Sequence, residues 1–251
     1  MENTITHDSP FKTKKSLLSI SKMENGTSQN YHYDSDLCHV LLLKSTPFQN
    51  DFIFSHCYEL LPAIRQEKIK RLRDRNDQNT CLAAGLLLHH ILSIHGYCEA
   101  DLSYNLYGKG YLENTPSFHV NLSHSSDLAV CASFTSEVGV DVEKLESADL
   151  EIAKHYFTHF EAVQVLNAQN PEREFYHHWV LKESYLKAKG LGLNMALDKF
   201  EIRTEVIPKA FENHQKMPYS FDFKEFENYF LAVCIQGPLP SISYYETSIR
   251  L

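Results

Sequence analysis

The sequence of 251 residues has little that would tie the chain to a membrane or to nucleic acid. Its longest apolar run, Cys81 to Leu88, covers eight residues, whereas a membrane-spanning helix needs about 20. The chain has 24 Lys and Arg against 32 Asp and Glu, a formal net charge of −8. Because nucleic-acid binding depends on neutralising phosphates with basic side chains, the overall charge disfavours it. We therefore expect a soluble protein in which any anionic ligand is bound by a local basic cluster.

Paired cysteines and clustered metal ligands are also missing. The six cysteines contain no C-x-x-C pair, and several, such as Cys38 and Cys131, lie within apolar runs. We expect buried, reduced thiols in a cytoplasmic protein. Adjacent histidines occur at 89–90 and 177–178, but neighbouring residues point to different helix faces and no second cluster has ligand spacing. The histidine pairs therefore do not favour a zinc site.

The chain divides into three predicted regions. Residues 1–36 are polar and lack the apolar core of a secretory signal, so we expect a flexible N-terminal extension. Residues 37–140 and 141–251 each contain predicted strands and helices, which favours α+β lobes. The tetrapeptide Leu-Ala-Val-Cys occurs at 128–131 and again at 231–234. This repeat is a weak indication that the two lobes are similar.

Hydrophobic spacing and the positions of Pro and Gly predict the secondary structure. Helices are predicted from Pro62 to Leu72, over 79–95, over 149–167, and from Pro171 to Gly190. Strands are predicted over 38–43, 118–125, 128–134, 138–143, 200–206, 219–223 and 229–235, with a turn at 107–110.

The strand over 138–143 carries two acidic residues on one face. Its sequence, Val-Gly-Val-Asp-Val-Glu, alternates strictly, so the valines share one face and Gly139, Asp141 and Glu143 share the other. Two carboxylates this close repel each other and are best tolerated beside a divalent cation or a shared proton. The alternative is an acidic but otherwise ordinary exposed edge strand.

The last predicted helix carries a second group of polar residues. Trp179, Glu183 and Lys187 are four residues apart and share one face, with Lys182 beside them. Glu183 could add a third carboxylate to a Mg²⁺ site, while Lys187 reaches toward anionic oxygen. The alternative is a surface ion pair between Glu183 and Lys187, with Trp179 anchoring the helix in the core.

Two further features could bind an anion. His124 is flanked by the hydroxyls of Ser123 and Ser125 at a strand end, where it could donate to a phosphate. The stretch 64–75 has a net charge of +4, which leaves −12 on the rest of the chain. The alternatives are a structural histidine and a solvated helix face.

Taken together and in this order, the motifs closely resemble the surfactin-type (Sfp-type) 4′-phosphopantetheinyl transferases. The signature of that family is G-x-D-x-E followed by W-x-x-K-E-x-x-x-K, which match Gly139 to Glu143 and Trp179 to Lys187 here. The resemblance extends over about residues 38–247. It implies an α+β fold of two similar lobes related by a pseudo-twofold axis, with coenzyme A in the cleft between them.

The resemblance also implies roles for individual residues. Mg²⁺ would be held by Asp141, Glu143 and Glu183, and Glu161 would lie near the site without an assigned role. The catalytic residues would be Asp141, Glu183 and Lys187. The residues that bind coenzyme A would be Arg65, Lys68, Tyr107, Gly108, Lys109, Ser123, His124, Lys182 and Lys187.

The implied reaction transfers the 4′-phosphopantetheine arm of coenzyme A to a serine of an apo acyl or peptidyl carrier protein and releases 3′,5′-ADP. Positioning and charge stabilisation would dominate, with Glu183 as the candidate base for the serine proton, directly or through a metal-bound water. The carrier could serve fatty-acid, polyketide, siderophore or peptide synthesis. Because two lobes already build one cleft, we expect a monomer.

The sequence departs from the family at two places. Asn79-Thr80-Cys81 stands where relatives often carry an arginine against adenine, and Gly-Lys-Gly replaces the usual Gly-Lys-Pro at 108–110. Both changes predict an altered affinity for coenzyme A. Two alternative functions are a Mg²⁺-dependent phosphohydrolase, in which water attacks instead of serine, and a degenerate member that binds coenzyme A or a carrier without catalysis.

Overall fold

A computed structural model describes residues 18–23, 33–115 and 117–250, which form an α+β protein. The strands are β1 (Leu18–Lys22), β2 (Leu37–Lys44), β3 (Ser103–Tyr104), β4 (Gly110–Tyr111), β5 (His119–Ser125), β6 (Leu128–Phe134), β7 (Val138–Lys144), β8 (Phe200–Arg203), β9 (Lys209–Glu212), β10 (Gln215–Lys216), β11 (Tyr219–Phe226), β12 (Tyr229–Gln236) and β13 (Ser241–Ile249). The α-helices are α1 (Asp51–Tyr58), α2 (Ala63–Arg71), α3 (Arg75–Ile94), α4 (Leu150–Tyr156), α5 (His159–Asn167) and α6 (Pro171–Lys189). Short 3₁₀ helices cover Thr46–Gln49, Glu99–Asp101, Gly192–Asn194 and Leu197–Lys199. None of the helices in these ranges is both long and apolar enough to cross a membrane.

Two lobes follow the same order of elements. The first contains β2, helices α1 to α3 and the hairpin β5–β6, and the second contains β7, helices α4 to α6 and the hairpin β11–β12. Each lobe contains three adjacent antiparallel strands with the second hairpin strand in the middle, in the orders β2-β6-β5 and β7-β12-β11. The repeated tetrapeptides lie on the equivalent middle strands β6 and β12. The prediction of an α+β fold with two similar lobes is therefore confirmed.

The lobes pack face to face through alternating apolar residues. Val40 and Leu42 of β2 belong to the same buried cluster as Val140 and Val142 of β7. Because strand side chains alternate between faces, the other face of β2 packs on the helices of its own lobe. Each fully buried Val or Leu contributes about 1.5–3 kcal/mol, so this interface joins the lobes firmly.

In the second lobe, α6 lies directly on β7. A Cβ atom at Gly139 would lie 2.1 Å from the carbonyl oxygen of Ser184, so the helix can approach this closely only over glycine. The helix begins at the N-cap Asn170, whose side chain accepts the Arg173 amide, and ends at Gly190 in the left-handed conformation with φ 66°. These features bring α6 over the strand face that carries Asp141.

The prediction of a flexible extension over 1–36 is wrong for part of that range. Leu18–Lys22 is an antiparallel partner of β13, with Leu18 and Ile20 buried, because alternate apolar residues cover the edge of the first core. Residues 1–17 and 24–32 lie outside the described residues.

Other predicted boundaries also change. A boundary between residues 140 and 141 would cut through β7, and β13, close to the C-terminus, pairs in parallel with β2 of the first sheet. The helix predicted over 149–167 is split into α4 and α5, because Thr158 caps α5 together with Glu161. All six cysteines are free thiols, and five of them are buried.

Candidate active site between the two lobes

Side chains of β5 bind the backbone of β7 where the two lobes meet. The side-chain oxygens of Asn121, Ser123 and Ser125 accept hydrogen bonds from three alternate backbone N–H groups of β7, at 2.9, 3.4 and 3.2 Å. Alternate residues of a strand share one side, so these three side chains form a continuous polar seam. The seam fixes the position of the strand that carries the acidic pair.

The two carboxylates of β7 are held by the same seam. The Ser123 hydroxyl donates to Asp141 at 2.8 Å, and the Ser125 hydroxyl donates to Glu143 at 2.7 Å. Lys187 of α6 donates to Asp141 at 2.6 Å and to Ser123 at 2.8 Å. The predicted convergence of β7 and α6 is therefore present, with the Lys187 ammonium against the Asp141 carboxylate.

Glu183 completes an acidic cluster. Burial and the charges of Asp141 and Glu143 raise the pKa of Glu183 to about 7. Burial and the charge of Asp141 also raise the pKa of Glu143. The charge of Asp141 thus disfavours the charged forms of Glu143 and Glu183, and such a group of carboxylates calls for a proton or a cation at this place.

The donor set suits a hard cation. Asp141 Oδ2 and Glu183 Oε1 are buried and have no hydrogen-bond partner among the described residues. Buried polar atoms are normally paired, and carboxylate oxygens are the ligands that Mg²⁺ prefers. Nowhere in the described ranges, however, are three His, Cys, Asp or Glu side chains already gathered to hold a metal ion. The residues fit such an ion chemically, with Lys187 as the cation that touches Asp141 here.

His124 of β5 lies in the electrostatic field of basic residues from two other elements. Desolvation and the positive charges of Lys187 and Lys68 lower the pKa of His124. Arg65 acts in the same direction. These groups belong to β5, α6 and α2, so the fold concentrates positive charge beside the acidic cluster and creates a place for an anion.

A cavity of 670 Å³ adjoins the seam. Asn121 lines it and also binds the amide of Val140, next to Asp141. The lining residues are Ile64, Arg65, Glu67, Lys68, Arg71, Leu88, Glu99, Leu102, Tyr104, Gly108, Lys109, Gly110, Val120, Asn121 and Leu122. The cavity is large enough for a ligand of nucleotide size.

The basic residues of the cavity differ in their partners. The Arg65 guanidinium is buried and binds both oxygens of Glu99, at 3.0 and 2.6 Å. Arg65, predicted to bind coenzyme A, therefore lines the cavity with its charge already paired. Lys68 and Arg71 have no ion-pair partner within the described chain, so they are the cations best able to meet a phosphate there.

The predicted nucleotide loop is a turn docked on α6. Gly108, with φ 85°, and Lys109 line the cavity, whereas Tyr107 does not. The Lys109 ammonium donates to the carbonyl of Ala188 at 2.5 Å and pairs with Glu137. The Lys109 side chain, predicted to contact coenzyme A, therefore binds protein groups in this structure.

The prediction that Lys182 binds coenzyme A is wrong. Lys182 is fully buried, and its ammonium donates to both oxygens of Glu161 at 2.7 Å and to the carbonyl of Phe200 at 2.9 Å. Glu161 also accepts from the amide of Ile202 at 2.8 Å. The pair joins α5, α6 and β8, which gives Glu161 a structural role.

Some residues of the site were not predicted from the sequence. Glu99 and Glu137 stand outside any motif, and their partners come from distant positions. Asn121 and Ser125 did have a signal, because with Ser123 they recur at every second position of one strand. That spacing predicts a shared polar face, although not what the face binds.

Comparison with known proteins agrees with this geometry. The model of the 4′-phosphopantetheinyl transferase superfamily matches residues 137–234. A 4′-phosphopantetheinyl transferase of Bacillus subtilis is 32% identical over 189 residues, covering 70% of this chain and 82% of that protein. The 4′-phosphopantetheinyl transferase Sfp of Bacillus subtilis (strain 168) is 30% identical over 196 residues, covering 72% and 87%.

Among solved structures, the holo-[acyl-carrier-protein] synthase of Neisseria meningitidis is 17% identical and covers 41% of this chain and 98% of its own. Its TM-score of 0.36 is too low to bear on the site. The extended identity to the two Bacillus enzymes decides the assignment, and both family motifs lie where the two lobes meet. The chain belongs to the 4′-phosphopantetheinyl transferase family.

Proposed function

We propose that this protein transfers the 4′-phosphopantetheine arm of coenzyme A to a serine of an apo acyl or peptidyl carrier protein. The serine oxygen attacks the β-phosphorus of coenzyme A, the bond between that phosphorus and the bridging oxygen breaks, and 3′,5′-ADP leaves. The observation that carries the proposal is the meeting of an acidic cluster and a basic cluster beside the cavity. A pyrophosphate ester needs both, since its charge must be matched and its donor aligned.

The proposed metal is Mg²⁺, held by Asp141, Glu143 and Glu183. The two buried carboxylate oxygens without a hydrogen-bond partner in the described chain support this assignment. Bound Mg²⁺ would neutralise charge on the pyrophosphate and orient it. Ser123 and Ser125 hold two of the three carboxylates in place through their hydroxyls.

The proposed division of labour follows the positions of the side chains. Lys187 lies between Asp141 and Ser123, so its ammonium can move from the carboxylate to a phosphate oxygen. Lys68 supplies positive charge on the cavity side for the nucleotide phosphate, and His124, whose pKa is lowered, is the proposed neutral hydrogen-bond donor to it. Glu183 is the proposed acceptor of the serine proton. Positioning and charge stabilisation then account for catalysis.

We further propose that the enzyme acts as a monomer in the cytoplasm. One chain contains both lobes and the cavity beside their junction. Its six free thiols suit a reducing compartment. Size-exclusion chromatography with light scattering tests the first statement, and a species with the mass of two chains would contradict it.

The test uses apo acyl and apo peptidyl carrier proteins, fluorescent coenzyme A and Mg²⁺. The expected result is fluorescence on the carrier, a matching mass increase on its serine, and no label when that serine is replaced by alanine. EDTA should stop the reaction, and added Mg²⁺ should restore it. Release of free phosphopantetheine without labelled protein would identify a hydrolase instead, and no reaction across several carriers would refute the transferase assignment.

A further inference from the structure

The turn at 105–109, between β3 and β4, makes contacts that its predicted role does not explain. Asn105 Oδ1 accepts the amides of Tyr107 and Lys109, both at 2.9 Å, and thereby shapes the turn. Asn105 Nδ2 leaves the turn and donates to the carbonyl of Gly190 at 2.7 Å. One amide group therefore joins a turn of the first lobe to the end of a helix of the second.

Lys109 reinforces the same contact. Its side chain is only 11% exposed, and its ammonium donates to the carbonyl of Ala188 at 2.5 Å. The last carbonyls of a helix have no partners within the helix, and a cation there interacts favourably with the helix dipole. The turn thus provides two hydrogen-bond donors and a positive charge to the C-terminus of α6.

The ammonium of Lys109 also pairs with Glu137, just before β7 begins. Although burial opposes it, hydrogen bonds from His119 and Lys109 lower the pKa of Glu137 to about 2. Lys109 therefore contacts the helix that carries Glu183 and Lys187 and the residue next to the strand that carries Asp141. Both acid-bearing elements are connected to one side chain of the other lobe.

We propose that Lys109 and Asn105 are positioning residues, which hold the C-terminal turn of α6 against β7 so that Glu183 and Lys187 reach Asp141. This inference rests on the proposed function and adds a structural role for two residues outside the metal and phosphate contacts. It replaces the expectation that Lys109 acts mainly as a contact for coenzyme A.

The position of α6 relative to β7 is limited in both directions. At Gly139 the backbone of α6 already touches β7, so the helix cannot move closer, and the turn limits movement in the other direction. A misplacement of about 1 Å in a catalytic group can cost about 10²-fold in rate. A loosened helix end, less than two turns beyond Glu183, should therefore slow the chemical step more than it weakens binding of coenzyme A.

Two variants test the proposal. Lys109→Met keeps the alkyl chain that packs near Gly190 but removes the charge and the donors. Asn105→Asp keeps the oxygen that shapes the turn but loses the donor to Gly190. The matched control is Lys199→Met, which removes an exposed lysine whose ion-pair partner is its neighbour Asp198.

The first readout is hydrogen exchange of the amides over 183–191, which requires neither substrate nor metal. We expect exchange about 10-fold faster in both variants and unchanged in the control, because the end of α6 opens more often. Circular dichroism melting identifies any variant that has lost its fold. Unchanged exchange in both folded variants would overturn the proposal.

The second readout is the steady-state rate of carrier labelling. We expect kcat to fall about 10-fold in Lys109→Met while the KM for coenzyme A stays within about 3-fold, and Lys109→Arg to recover most of the rate. A rise in KM with kcat and exchange unchanged would make Lys109 a ligand contact and overturn the proposal. If wild-type protein labels no carrier, the proposed function fails, and the exchange result still decides whether the turn holds α6.

Discussion

The two lobes differ most where the first strand of each meets its longest helix. Strand pairing places Leu41 opposite Cys131 in the first lobe and Gly139 opposite the equivalent Cys234 in the second. By the same register, Leu43 corresponds to Asp141. The first lobe therefore fills this face with leucine, whereas the second has a glycine and a carboxylate there.

This difference shows which part of the repeated fold is available for function. The faces of β2 and β7 that meet each other are apolar in both lobes and hold the lobes together. The outer face of β2 packs on helices of its own lobe, whereas the outer face of β7 contacts α6 and also the hydroxyls of β5 from the other lobe. In the second lobe, glycine lets α6 approach β7, and the acidic cluster forms beneath it.

The largest effect is expected when the Asp141 carboxylate, which replaces a leucine of the first lobe, is removed. Asp141→Ala should lower the transfer rate by about 10²–10³-fold, because a charge that holds the metal and Lys187 is lost. Carrier labelling at saturating coenzyme A and Mg²⁺ measures the effect, and circular dichroism should show an intact fold.

Asp198→Ala, which removes an exposed carboxylate, is the control for Asp141→Ala and should retain full activity. Full activity of Asp141→Ala itself would contradict the proposed metal site.

Each lobe also buries one ion pair, and the two pairs should respond differently. Lys182→Met leaves Glu161 buried without its cation, which should lower the free energy of unfolding by about 3–5 kcal/mol. Urea denaturation measures this loss. Arg65→Met should destabilise the protein as well, because the buried Glu99 carboxylate loses its cation. It should also raise the KM for coenzyme A.

The KM for coenzyme A of folded Lys182→Met should equal that of the wild type, because Lys182 is fully buried. A large rise in that KM would show that Lys182 contacts coenzyme A.

The steric difference between the lobes is tested by changing side-chain volume at the equivalent positions Gly139 and Leu41. Gly139→Ala should lower the free energy of unfolding by about 1–3 kcal/mol, because the new methyl group clashes with the backbone of α6. It should also lower kcat, since α6 must shift. Thermal melting and carrier labelling measure the two effects.

Leu41→Ala, at the equivalent position, should destabilise the first lobe by about 2–5 kcal/mol through a cavity and leave kcat of the folded protein within about 3-fold. Equal loss of kcat in both variants would mean that the outer face of β2 supports the active site as much as the outer face of β7 does.

The smallest expected effect concerns Lys68, one of the cavity cations without an ion-pair partner in the described chain. Lys68→Ala should raise the KM for coenzyme A by about 10-fold and leave kcat unchanged, because a charged hydrogen bond to phosphate is worth about 1.5–3 kcal/mol. The KM for dephospho-coenzyme A should not change, since it lacks the phosphate concerned. An equal rise for both substrates would place Lys68 elsewhere along the ligand.

Most helices and strands near the site could be predicted because their signals are local. Strict alternation marked β7, and Pro171 and Gly190 marked the ends of α6. Strand β13 was not predicted, because its sequence Ser-Ile-Ser-Tyr-Tyr-Glu-Thr-Ser-Ile keeps no strict apolar alternation and its partners β1 and β2 are distant in sequence.

The ion pairs of three basic residues of the motifs were unforeseen for a related reason. Lys182, Arg65 and Lys109 are basic residues inside recognisable motifs, so each was assigned to the ligand. Their actual partners lie 21, 34 and 28 residues away, as Glu161, Glu99 and Glu137. Such pairs depend on how elements pack, and no local spacing rule predicts them.

By itself, the sequence determined the family, the two-lobed α+β class and the acidic residues that share one strand face and one helix face. Those properties follow from periodicities of two and 3.6 residues within single elements. Tertiary structure alone decided which charges remain available to a ligand. Packing brought Glu161 to Lys182, Glu99 to Arg65 and the 105–109 turn to α6. A buried charge needs a partner, and the partner is whichever group the fold brings within reach.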